Sequence, residues 1–146
     1  MTICRFAALA LCLGMLSGCG IFGGEDEVAE VTGEPIDPLT IDPRPLAANI
    51  LSVEVERTQN GTIIRAVGVA SAQGFWETEL LPVNFERPQN GQLVYQFRLL
   101  PPGRETNVGT QRSRELVAVR VVPNQTLAGV RAITVVGTES QRSARP

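Results

Sequence analysis

The sequence contains no His and no Lys, and its three Cys all fall within the first 19 of 146 positions. Imidazole and ammonium groups and an internal thiol are thereby missing from the rest of the chain. With them go most side chains that exchange protons or attack carbonyls near neutral pH. Thiolate and imidazole metal sites are excluded on the same grounds, and no metal or other cofactor is expected. Aromatic residues make up only 5% of the chain, which leaves few rings to stack nucleic-acid bases. After the first 20 positions no apolar run approaches the roughly 20 residues that a membrane-spanning helix needs.

What is present begins with an address. Residues 1–19, MTICRFAALALCLGMLSGC, combine Arg5 near the start, an apolar run from Phe6 to Leu16 and a small-residue exit. This is the layout of a secretory signal peptide over residues 1–18, too short to span a bilayer permanently. Leu16-Ser17-Gly18-Cys19 resembles the lipobox of bacterial lipoproteins. The resemblance implies cleavage between Gly18 and Cys19 and a diacylglyceryl group on the Cys19 thiol. It also implies acylation, such as palmitate, on the new amine. Two or more chains anchor durably, since each buried CH₂ contributes about 0.8 kcal/mol. Gly20, rather than Asp, implies the outer membrane of a Gram-negative envelope, with the protein facing the periplasm.

Residues 19–46 read as a tether. Glu25, Asp26, Glu27, Glu30, Glu34, Asp37 and Asp42 precede the first base, Arg44, and Pro35, Pro38, Pro43 and Pro45 oppose helix formation. A coil of this length reaches about 30 Å, more with self-repulsion. From Ala47 to Gly137 the composition turns to Val, Ile and regularly spaced turn residues. Seven strands are predicted, near 50–58, 62–70, 74–80, 83–87, 92–100, 114–122 and 130–136. Their alternation is that of a half-buried sheet. Leu93, Tyr95, Phe97 and Leu99 share one face, and Val117, Val119 and Val121 another; with Phe75 or Trp76 they are expected to fill the core.

Strand number and spacing resemble a small antiparallel β-sandwich of immunoglobulin or fibronectin type, without the Cys pair of antibody domains; a small β-barrel is the alternative. The last nine residues, 138–146, are expected to be a frayed tail. Two near copies stand out 30 residues apart: Glu56-Arg57-Thr58-Gln59-Asn60-Gly61 and Glu86-Arg87-Pro88-Gln89-Asn90-Gly91. Each predicts a hairpin with a type I′ turn at Asn-Gly. Duplication and convergence on one turn explain the repeat equally well.

Charge divides the mature chain. Residues 25–42 hold seven acids and no base, whereas residues 44–146 hold twelve Arg against eight acids, a net charge of +4. Arg104, Arg112 and Arg114 lie in the longest predicted loop, where guanidinium groups are candidates for an anion or partner contact. Glu77 and Glu79 share a strand face, and a wet face explains them better than paired-carboxylate chemistry. The sequence thus predicts a non-enzymatic, membrane-anchored envelope lipoprotein whose β-domain binds a protein or glycan of the envelope, with β-strand addition as one docking mode. The alternative is a ligand-binding or accessory subunit of a transport or assembly system using the Arg-rich loop. Nucleic acid is not an expected partner.

Overall fold

A computed structural model describes residues 42–146; the expected signal peptide, the lipobox-like residues ending at Cys19 and the expected tether up to residue 41 lie outside the described residues. Seven strands form two sheets: β1 (Asn49–Arg57), β2 (Gly61–Val69), β3 (Trp76–Pro82), β4 (Gln92–Leu100), β5 (Glu115–Pro123), β6 (Ala132–Val136) and β7 (Gln141–Ala144). β1, β2 and β5 make a three-stranded antiparallel sheet, and β3, β4, β6 and β7 a four-stranded one in which β4 and β6 run parallel. The sheets pack as a sandwich and do not join into a barrel. Among the described residues no helix is long and apolar enough to cross a membrane.

The core follows from alternation. Leu93, Tyr95, Phe97 and Leu99 of β4 are all fully buried, facing Ile64 and Ala66 of β2 and Ala118 and Val122 of β5. Gly68 of β2 is needed where a Cβ would sit 3.1 Å from both the Phe97 ring and the Ala47 methyl. The chain enters beside the four-stranded sheet. Leu46 bridges Arg98, Ala47 N–H donates to the Phe97 carbonyl (2.9 Å), and Ala48 N–H then donates to the Val69 carbonyl (2.8 Å) on the other sheet. Residues 45–48 therefore staple the two layers, and the folded part begins before Ala47.

Three expectations change. Residues 83–87 are no strand: Asn84, Phe85 and Glu86 all take left-handed backbone (φ +55°, +54° and +61°), so the chain turns out of the sheet. Residues 141–144, expected to fray, form β7 against β6, and Gly137 N–H closes the intervening turn on the Ser140 carbonyl (2.8 Å). Finally, Val117, Val119 and Val121 face outward. The inward face of β5 is the opposite one, where small Ala118 and Val122 fit the closely packed layers.

Candidate interaction surface

The strand register fixes what the outer face of the three-stranded sheet displays. Three rows run across β1, β2 and β5: Ser52–Val67–Val117, Glu54–Arg65–Val119 and Glu56–Ile63–Val121. All nine side chains point away from the core, because Val53, Val55, Ile64, Ala66 and Ala118 on the alternate positions point into it. Val117, Val119 and Val121 are 46%, 50% and 64% exposed, and Ile63 and Val67 beside them are half-buried. Five aliphatic side chains thus lie in contact positions on one face, with a carboxylate column on β1 at its far side. Single exposed apolar residues are ordinary, whereas a contiguous group on a sheet face is the form interaction sites take.

One edge of this face is held by a polar node. Arg120, inward on β5, donates from Nε to Glu86 Oε1 (2.6 Å), and the Tyr95 hydroxyl donates to the same oxygen (2.9 Å). The guanidinium carbon lies 5.7 Å from the Tyr95 ring centre, a cation–π distance. Burial, followed by the Glu86 carboxylate, pushes the Tyr95 phenol well above its ordinary range. The hydrogen bond to Glu86 likewise raises Arg120. This node holds the left-handed turn in place: three consecutive non-glycine residues at positive φ cost about 1–2 kcal/mol each, so a fixed carboxylate is needed to retain them. The turn leaves Phe85 40% exposed, next in sequence to the Glu86 that meets β5. Sequence reasoning missed the node, because its members are 9 to 34 residues apart and Glu86 belongs to a turn-like motif.

Arg104, Arg112 and Arg114 are not brought together. Their loop is tied down by Gln73, whose N–H donates to the Asn107 carbonyl (3.0 Å), whose carbonyl accepts from Thr106 Oγ1 (2.6 Å) and whose side-chain amide reaches Ser113 Oγ (2.8 Å). Arg114 Nη1 donates to the Ala70 carbonyl (2.6 Å) and so serves the fold. It lines a cleft of about 300 Å³ with Arg142, while Arg104 lines a separate hollow of about 370 Å³ with Phe75 and Pro102. Arg112 stands exposed in a short turn. Nor do Glu77 and Glu79 form a pair: a bulge with Glu77 at φ +45° separates them, and Glu79 accepts from Arg44 Nη2 (2.5 Å). The same bulge turns Trp76 to solvent, 56% exposed, while Phe75 packs against the core.

On the four-stranded sheet, the entering chain occupies part of the outer surface. Arg44 bonds Asp42 through Nε (3.0 Å) and Nη2 (2.7 Å), and Arg98 Nη1 donates to the Arg44 carbonyl. The hydrogen bonds from Arg44 hold the Asp42 carboxyl below the usual carboxylate range, and those to Asp42 and Glu79 raise Arg44. The rest of that surface mixes polar and aliphatic side chains: Gln92 Nε2 bonds Thr134 Oγ1 (2.7 Å) and Thr134 shares a bond with Ser143 (2.8 Å), while Leu81, Val94 and Val136 face outward and are half-buried. No metal-binding group of His, Cys, Asp and Glu occurs among the described residues. No family model, curated protein or solved structure matches the chain.

Proposed function

We propose that the protein is a non-enzymatic lipoprotein of the bacterial envelope, anchored through Cys19, whose β-domain binds a protein partner with the outer face of β1, β2 and β5. The observation that carries this reading is the aliphatic group Ile63, Val67, Val117, Val119 and Val121 on a face that the fold leaves open. Covering the three half-exposed valines recovers about 1 kcal/mol each, a useful but partial share of a binding energy. The place where the chain enters supports the same face. Asp42 and Arg44, where the described chain begins, lie on the four-stranded sheet, on the side opposite the valines. Burial of the valine column by a partner therefore leaves their contacts intact.

The Arg-loop reading loses its main support, because Arg104 and Arg114 line different depressions and Arg114 is engaged by the backbone. Two experiments test the proposal. Cys19→Ser should release the protein from membranes; full retention would contradict the anchor. Val119→Glu should remove whatever protein co-purifies with the wild-type chain from solubilised envelopes, with folding retained. A partner that persists on the variant would contradict the face.

A further inference from the structure

We infer that the segment docked on this face is an amphipathic helix whose aliphatic stripe lies along the β5 valines and whose flank over β1 carries basic residues. The inference rests on the reading just given. Three observations choose this occupant. First, addition of a strand in the plane of the sheet is obstructed. β3 runs beside the free edge of β5, with the Thr78 hydroxyl donating to the Val117 carbonyl (2.7 Å) and Arg120 Nη1 reaching the Leu80 carbonyl (3.4 Å). The outer edge of β1 is occupied at both ends by the C-terminal segment, with Ile50 N–H donating to Ser140 Oγ (2.9 Å) and Arg57 Nη2 to the Pro146 carbonyl (2.7 Å), so a partner comes face-on, as helices do in apolar grooves.

Second, length fits. Val117, Val119 and Val121 span two double steps of a strand, about 14 Å, and side chains at i, i+4 and i+8 of a helix span about 12 Å. Third, charge is asymmetric across the rows. Glu54 and Glu56 are exposed on β1 against the single Arg65 on β2, and none of the three is in a salt bridge among the described residues. Glu54 stands opposite Arg65, which leaves Glu56 opposite Ile63 without a cation. A basic flank answers that column, whereas an acidic flank meets it with like charge.

A second copy of the chain fits less well. Two such faces stacked valine column on valine column, about a two-fold axis along the central row, place Arg65 on Arg65 and Glu54 on Glu54.

The test uses the whole mature chain bearing Cys19→Ser and two labelled 15-residue helical peptides. Both peptides have Leu at i, i+4 and i+8; one has Lys and the other Glu along one flank. Fluorescence anisotropy at low salt should show the Lys peptide binding at least about tenfold tighter, the ratio that opposite against like charge at this range supplies. E54K/E56K should erase or invert that preference. Val119→Glu and Val121→Glu should each abolish binding of both peptides while the melting curve remains cooperative. Equal binding of the two peptides, still lost in the valine variants, overturns the basic helix and leaves the docking face standing. Binding unchanged in both valine variants overturns the two together. A wild-type dimer by light scattering that Val119→Glu dissociates makes the occupant a second copy and overturns the inference.

Discussion

Glu56–Gly61 and Glu86–Gly91 share five of six residues, yet they build different structures. In the second, Asn90 and Gly91 adopt φ of +52° and +76°, and Gln89 and Gln92 exchange both backbone hydrogen bonds (2.9 and 2.8 Å), a two-residue type I′ turn. In the first, neither Asn60 nor Gly61 has positive φ. Arg57 pairs with Thr62, Thr58 N–H closes on the Gly61 carbonyl (2.7 Å), and Gly61 already belongs to β2. The Glu residues differ as well. Glu56 is exposed on an open face, while Glu86 is held by Tyr95 and Arg120 at the end of a left-handed turn. Between Val83, bonded to Val94, and Gln89, opposite Gln92, five residues face one, so the second hairpin carries four extra residues that the first lacks. Local sequence supplies a turn-compatible segment, and tertiary contacts decide which turn forms. The two copies therefore offer no structural support for a duplicated hairpin.

Substitution at paired positions sharpens the comparison. Glu86→Ala removes the shared acceptor of the Tyr95 hydroxyl and Arg120 Nε and should cost about 2–3 kcal/mol in denaturant unfolding, whereas Glu56→Ala should stay within about 0.5 kcal/mol. Gly61→Ala is next: its Cβ would stand 2.7 Å from the Val122 carbonyl oxygen, and backbone cannot give way cheaply. A loss of about 2 kcal/mol is expected. Gly91→Ala meets the side chain of Arg131, which can swing aside, and should cost about 1 kcal/mol from its positive φ. Were both turns type I′, the order of the two glycines would not be set by Val122. Asn90→Ala should cost up to about 1 kcal/mol and Asn60→Ala nearly nothing, because only Asn90 is left-handed.

A titration reads the Glu86 node without a stability scale. The chain has one Tyr, so phenolate absorbance reports Tyr95 alone. Its pKa is raised on folding, so the neutral phenol contributes stability that is fully present below the unfolded value near 10 and is lost as pH rises beyond it. Absorbance at 295 nm should therefore stay silent through pH 10 and appear only as the protein unfolds. An ordinary titration near pH 10 in the folded protein would break the account of the node.

Much of the fold is legible in the sequence because β-alternation is a local signal. Six of the seven predicted strands form within two residues of their expected ends, and the Leu93–Leu99 face is the core of β4. Where reading failed, a non-local cause decided. Val117, Val119 and Val121 alternate like core residues, and only packing against the other sheet selects Ala118 and Val122 instead. Trp76 is turned outward by a bulge whose positive φ falls on Glu77, a residue with no turn signature. The tail QRSA is polar enough to look frayed and is ordered by pairing with β6. The arginine loop was legible as a loop, while its tie to Gln73 spans 33 to 40 residues and has no trace in composition.

The central claim is that the β1–β2–β5 face, and not the opposite one, meets the partner. A photo-crosslinking residue placed in turn at Val119 and at Val94, which lies on the outward side of β4, compares the two faces in living cells with Cys19 intact. The account predicts a discrete protein adduct from position 119 and none from position 94. An adduct from 94 with none from 119 would contradict it.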